Sequence, residues 1–103
     1  MKVVIESPYS GDIKANEAYA RKCLKDSLDR GESPLAFHLL YTQVLDDAKP
    51  EERQFGIQTS FEWHKDADLL AVYFDNGITT GMEWAISIAK SNNVRIEYRR
   101  LKG

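Results

Sequence analysis

The stretch Leu69-Leu70-Ala71-Val72-Tyr73-Phe74 decides the fold. It is apolar throughout, which is typical of a central parallel strand that is covered on both faces. The turn signal Asp75-Asn76-Gly77 follows it directly. We therefore expect a parallel sheet in which this strand is central and helices pack against both sides.

One helix is predicted before this strand in the sequence and one after it. Thr79 or Thr80 can cap the later one, which runs from about Gly81 to Ser91. Its inward face is predicted to hold Met82, Ala85, Ile86 and Ala89. Pro50 favours the start of the earlier helix, which runs to about Lys65. That helix is predicted to bury Phe55, Ile57 or Gln58, Phe61 and Trp63.

Further elements complete an alternating pattern. Val3-Val4-Ile5 and Ser33-Pro34-Leu35-Ala36-Phe37 are predicted strands, separated by a helix over residues 16–28 that ends at Gly31. The alternation in residues 94–98 predicts an edge strand. The order β-α-β-α-β-α-β predicts an α/β, three-layer Rossmann-like (flavodoxin-like) domain with about four parallel strands and helices on both faces. We expect one domain over residues 1–103.

Composition excludes several classes of partner. The net charge is -2 without a basic stripe, so a nucleic-acid polymer is not expected. One cysteine, Cys23, and two histidines predict a core thiol and no metal site. No segment reaches membrane-spanning length, which favours a cytoplasmic protein. We expect no cofactor. Small size and surplus aromatics, namely Phe61, Trp63 and Trp84, predict a homo-oligomer.

Ligands of such sheets bind beyond the carboxyl ends of the strands, where the strand order reverses. One segment there is Ser7-Pro8-Tyr9-Ser10-Gly11, whose hydroxyls, glycine and backbone N–H groups suit a sugar or phosphate oxygen. The alternative is a turn that only caps the next helix. His38, after the second strand, either hydrogen-bonds a ligand or is structural. Asp46 and Asp47 either contact the ligand or cap the helix at Pro50.

The third segment runs from Gly77 to Glu83. Gly81 allows close approach of a ligand to the helix start. Glu83 falls in the first helical turn, where a carboxylate can act as a nucleophile or general base. The alternative is that Glu83 only interacts favourably with the helix dipole.

These segments together resemble the nucleoside 2-deoxyribosyltransferase-like superfamily. The clearest similarity runs from Asp68 through the strand and acidic loop to Gly81-Met82-Glu83-Trp84-Ala85. By that resemblance Glu83 is the nucleophile that takes the sugar from a nucleoside. The superfamily carries an acidic residue shortly before the nucleophile. Gly77 occupies the ungapped position, and Asp75 can serve with a shifted loop.

More narrowly, the chain resembles a small uncharacterised family of bacterial and phage proteins. The pattern combines Ser7-Pro8-Tyr9 with Gly11, His38-Leu39-Leu40, Leu45-Asp46-Asp47, Pro50-Glu51-Glu52-Arg53 with Gly56-Ile57, and Gly81-Met82-Glu83.

Three functions stay open from the sequence. The first is an enzyme acting on the N-glycosidic bond of a nucleoside or nucleotide, with Glu83 as nucleophile and Asp75 or His38 at the base. The second is a non-catalytic module that senses or sequesters such a ligand. The third is a structural interaction protein. Residues predicted to bind the ligand are Ser7, Pro8, Tyr9, Ser10, Gly11, His38, Asp47, Gly77, Gly81 and Met82.

Overall fold

Four parallel strands form one sheet in the computed structural model, which describes residues 1–46 and 48–101. Strand β1 spans Lys2–Glu6, β2 spans Ser33–Leu35, β3 spans Leu69–Tyr73 and β4 spans Arg95–Arg99. Their order across the sheet is β2-β1-β3-β4. The predicted flavodoxin-like arrangement of parallel strands is therefore confirmed.

Three helices cover the two faces of the sheet. Helix α1 (Ile13–Asp29) lies on one face, and α2 (Pro50–His64) and α3 (Thr80–Ser91) lie on the other. Two short 3₁₀ helices, Phe37–Leu39 and Tyr41–Gln43, follow β2, so this strand ends at Leu35 and not at Phe37 as predicted. This split follows from right-handed crossovers, because the connections after β1 and after β3 lead towards opposite edges of the sheet.

Strand β3 is buried along its whole length, as its sequence predicts. Leu69, Ala71 and Tyr73 pack in the cluster beneath α1. Leu70 and Val72 pack in the cluster beneath α3. This strand therefore links the two halves of the core. Burial of each Leu or Val side chain contributes about 1.5–3 kcal/mol to the stability of the fold.

Helix α3 matches its predicted face, whereas α2 does not. The α3 residues Met82, Ala85, Ile86 and Ala89 are buried. In α2, Phe55 and Trp63 are 60% and 55% exposed, and the buried residues are Ser60 and His64. The prediction for Phe55 and Trp63 was wrong because apolar residues occur all around this helix. The face with Gly56, Ser60 and His64 lies inward instead, and a Cβ on Gly56 would meet Leu45 Cδ1 at 3.0 Å.

The predicted core role of Cys23 is confirmed. The thiol is fully buried, and burial raises its pKa to about 12. A thiol that stays protonated at neutral pH is a weak nucleophile, which argues against a catalytic role for Cys23.

A buried ion pair ties the end of β4 to the segment after α1. Arg99 donates to both carboxylate oxygens of Glu32, at 2.8 and 2.6 Å, and also to Tyr73 Oη at 3.1 Å. The hydrogen bonds from Arg99, with a further bond from Ser27 Oγ, lower the pKa of Glu32 to about 2. Bidentate pairs of this kind hold one geometry, so this contact fixes how α1 crosses the sheet.

A second polar contact joins the same face to the loop after β3. The Asp75 carboxylate accepts hydrogen bonds from the Tyr19 hydroxyl at 2.5 Å and from the Leu101 backbone N–H at 2.9 Å. The Asp75 backbone N–H donates to Tyr19 Oη at 3.0 Å. Asp75 therefore holds α1, the end of β3 and the residues after β4 together.

Replacement of Glu32 should destabilise the protein in a pH-dependent way. The folded-state pKa of about 2 lies below the ordinary value of 4.5, so this stabilisation is complete above pH 4.5 and is lost as the pH falls towards 2. We expect Glu32→Gln to cost on the order of 3 kcal/mol at pH 7 and much less at pH 2, by urea denaturation. Glu62→Gln, at an exposed pair with Lys65, is the control and should leave the midpoint unchanged. An equal cost of Glu32→Gln at both pH values would contradict this account.

Replacement of Asp75 should also reduce stability. Asp75→Asn removes the charge from the bonds to Tyr19 and Leu101, so we expect a loss of about 1–3 kcal/mol in urea denaturation. Tyr19→Phe is the partner variant. Because the two side chains share one hydrogen bond, the double variant should lose less than the sum of the single losses. Strictly additive losses would show that the two groups act independently.

Candidate functional site

The site lies at the carboxyl ends of β1 and β3, where the strand order reverses. The connection from β1 leads to β2 at one edge, and the connection from β3 leads to β4 at the other. The two connections diverge there and leave a crevice between them. Open parallel sheets bind their ligands in such a crevice.

A cavity of about 80 Å³ occupies this crevice on the face covered by α2 and α3. Each neighbouring element contributes side chains to its wall. The end of β1 and its loop give Glu6, Ser7, Tyr9 and Ser10; the 3₁₀ segment gives Phe37, His38 and Tyr41; α2 gives Gly56, Ser60, Phe61 and His64; the start of α3 gives Thr79, Gly81 and Met82. The wall is mostly apolar with few polar groups, as is typical of small-molecule sites.

Glu6 places a carboxylate in this cavity. Its side chain lies on the same face of β1 as Val4, which packs beneath α3, and the residue is only 6% exposed. His38 Nε2 lies 3.7 Å from Glu6 Oε1, and the His38 ring stacks on Tyr9 with 5.1 Å between ring centroids. A buried carboxylate beside an imidazole can accept hydrogen bonds or exchange a proton with a ligand.

Two further residues of the cavity wall each carry a buried polar atom without a partner. Ser7 Oγ and His64 Nδ1 make no hydrogen bond with any group in the described residues. The His64 ring packs against Phe37 and Phe61, at 5.8 and 5.2 Å between centroids. Burial lowers the pKa of His64, so its imidazole is neutral at pH 7. Native structures satisfy nearly all such atoms, so both are candidates for ligand contact.

The loop after β1 is held from α1. Asn16 Nδ2 donates to the backbone oxygens of Tyr9 and Ser10, at 2.8 and 2.9 Å, and Asp12 caps α1 through the Ala15 N–H. Gly11 has a φ of +101°, a conformation that favours glycine. The loop therefore presents Ser7, Tyr9 and Ser10 to the cavity in a fixed conformation.

The start of α3 is fixed by its cap. The Thr79 side chain accepts from the Met82 N–H at 3.3 Å, as the sequence predicted for Thr79 or Thr80. Thr79, Gly81 and Met82 line the cavity, with Met82 buried. Glu83, one residue further along, is exposed and does not line it, because successive side chains of a helix point about 100° apart.

The structure therefore brings together part of the predicted set. Ser7, Tyr9, Ser10, His38, Gly81 and Met82 line one cavity. Pro8, Gly11, Asp75, Gly77 and Glu83 lie in the neighbouring segments but not in its wall. Asp47 lies outside the described residues. The functional roles of all these residues stay predictions.

Sequence reasoning missed Glu6 and His64. Glu6 has the same parity as Val4 on β1, and His64 continues the Gly56–Ser60 face of α2 at a spacing of four residues. Glu6 is the last residue of β1 and His64 the last of α2, whereas the predicted site residues belong to the loops that follow strands and to the start of α3.

The described residues hold no group of three or more His, Cys, Asp or Glu side chains arranged to bind a metal ion. None of the helices in the described part of the chain has both the length and the apolar character needed to cross a bilayer.

Solved structures that share the fold include two enzymes. A 2-deoxyribosyltransferase from the psychrotolerant bacterium Bacillus psychrosaccharolyticus is similar with a TM-score of 0.76 and 18% identity, over 97% of this chain and 72% of that one. The Clostridium botulinum CMP N-glycosidase BcmB is similar with a TM-score of 0.53 and 12% identity, over 100% of this chain and 91% of that one. At these identities the similarity establishes the architecture alone.

Comparison by sequence, rather than by structure, identifies the family of this chain. No curated protein matches it. A family profile described as a domain of unknown function, DUF7768, matches residues 1–99. The chain thus belongs to the DUF7768 family.

Proposed function

We propose that this chain binds a nucleoside or nucleotide in the cavity at the ends of β1 and β3 and acts on its N-glycosidic bond. The observation that carries the proposal is the cavity itself, whose lining residues include the buried Glu6 and also Ser7 and His64, each with an unpartnered polar atom. The shared fold of a 2-deoxyribosyltransferase and a CMP N-glycosidase supports this choice of ligand.

In this proposal Glu83 is the nucleophile. It stands beside Gly81 and Met82, so the anomeric carbon would lie at the cavity mouth, over the first turn of α3. The carboxylate oxygen forms a bond to that carbon while the bond to the base nitrogen breaks, and the electron pair leaves with the base. Water or a second base then releases the sugar from Glu83.

The other predicted residues have supporting roles. His38 contacts the base, because it lines the cavity and its ring is held by stacking on Tyr9. Asp75 positions the loop before α3, since its carboxylate accepts hydrogen bonds from the Tyr19 hydroxyl and the Leu101 N–H.

A second candidate is a non-catalytic module that senses or sequesters the same ligand. The exposure of Glu83 and its position outside the cavity wall favour this alternative. A module needs the cavity and its polar groups but no nucleophile.

Incubation with a panel of nucleosides and nucleotides tests both candidates. We expect free base to appear by chromatography, and Glu83→Gln to reduce the rate by a factor on the order of 10² or more while ligand still binds. Glu51→Gln is the matched control, because Glu51 is also an exposed glutamate in the first turn of a helix. It should keep the full rate.

The same samples separate the candidates by thermal unfolding. A ligand that raises the melting temperature without release of base supports the module. Absence of both base release and stabilisation across the panel would contradict the proposed function.

Oligomeric assembly and cytoplasmic location also stay proposals. Trp63 and Trp84 are 55% and 47% exposed, and a second copy of the chain would cover such side chains. We expect light scattering to give at least twice the chain mass of 11.8 kDa, and a monomeric mass would contradict this expectation.

A further inference from the structure

The cavity contains a carboxylate in apolar surroundings. Glu6 pairs in register with Val72 of β3, and the nearby wall includes Phe37, Phe61 and Met82. A buried carboxylate accepts hydrogen bonds and repels anions, and both effects are strong where water is scarce. The ligand group beside Glu6 must therefore donate hydrogen bonds and carry no negative charge.

The two unpartnered atoms add a second requirement. Ser7 Oγ can both donate and accept, whereas Nδ1 of a neutral imidazole does one or the other according to the tautomer. Ser7 and His64 are only 2% and 3% exposed, so a hydrogen bond left unmade at either atom is unfavourable. A ligand that fits this part of the cavity must supply acceptors as well as donors.

Sugar hydroxyls meet both requirements. Each hydroxyl donates one hydrogen bond and accepts others, and two neighbouring hydroxyls can bridge a carboxylate and a serine. The edge of a base offers donors and acceptors only at separate, fixed positions, whereas each hydroxyl can do both. A phosphate mainly accepts at neutral pH and is repelled by Glu6. Among the parts of a nucleotide, the sugar is the best complement to this wall.

We propose that Glu6, Ser7 and His64 form a subsite for the sugar hydroxyls of the ligand, which selects a ribose with both its 2′- and 3′-hydroxyls and excludes phosphate. This inference rests on the proposed function, because it assumes a nucleoside or nucleotide ligand. The sequence predicted that Ser7 contacts either a sugar oxygen or a phosphate oxygen. The proposed subsite selects the sugar.

Titration calorimetry tests the subsite with a ribonucleoside that binds the wild-type protein and with its 2′,3′-dideoxy analogue. We expect the dideoxy analogue to bind at least tenfold more weakly. Glu6→Gln should weaken the ribonucleoside at least tenfold and reduce the preference over the dideoxy analogue to threefold or less. Ser7→Ala should weaken the ribonucleoside about three- to tenfold, and Glu51→Gln should change nothing.

Two measurements guard against misfolding and a wrong assignment. Circular dichroism and thermal unfolding of Glu6→Gln establish whether it folds, and Ser7→Ala carries the test if it does not. Inorganic phosphate at millimolar concentration should not displace the ribonucleoside from the wild-type protein.

Each other result overturns part of the assignment. Equal binding of ribonucleoside and dideoxy analogue, or displacement by phosphate, would overturn the sugar subsite and leave the proposed function standing. A third result is that Glu6→Gln loses affinity only for nucleosides whose base carries an amino group, while removal of the sugar hydroxyls has no effect. That result would place the base, and not the sugar, at Glu6.

If no nucleoside or nucleotide binds, the proposed function fails, and the subsite is then tested with free ribose. A saturation-transfer signal from ribose in the wild-type protein that Glu6→Gln removes would uphold the subsite alone. No such signal would overturn it.

Discussion

The burial of β3 on both faces is the constraint on which the rest of this structure depends. A strand with apolar side chains in both directions needs a layer on each side, and parallel neighbours reach it only through helical crossovers. Helix α1 supplies one layer and α2 with α3 supplies the other. The reversal of strand order between β1 and β3 follows from that arrangement, and so does the crevice at their ends.

The two faces use their charged and polar side chains differently. Beneath α1, Glu32, Arg99 and Asp75 are engaged in short contacts that fix the packing of the helix. Beneath α2 and α3, Glu6 lies 3.7 Å from His38, and Ser7 Oγ and His64 Nδ1 are unpartnered within the described residues. Polar groups in the first set stabilise the fold, whereas those in the second set are suited to a ligand.

Sequence reasoning predicted the architecture because strong local signals agreed with tertiary packing. The apolar β3, the cap at Thr79 and the buried face of α3 each followed from one-dimensional patterns. The inward face of α2 did not follow, because Phe55 and Trp63 are as apolar as the residues that pack. The inward side of α2 is where Gly56 approaches Leu45 closely, and such a contact is a property of two segments rather than one.

The site was predicted in location more than in detail. The loop after β1, His38 and the start of α3 do meet at one cavity, as the topology requires. Met82 was predicted on the inward face of α3 and lies in the wall, whereas Glu83, predicted as the nucleophile, is exposed. Successive helical side chains point about 100° apart, so the face that buries Met82 leaves Glu83 in solvent.

The strand pairing has a consequence for how the cavity comes into being. Each pair of neighbouring strands is joined by a long connection that contains a helix, so none of the sheet forms from a local hairpin. Such non-local topologies fold slowly, since chain closure must precede the contacts that reward it. The cavity wall draws on residues from Ile5 to Met82. During synthesis on the ribosome, binding competence should therefore arise only after the start of α3 has emerged.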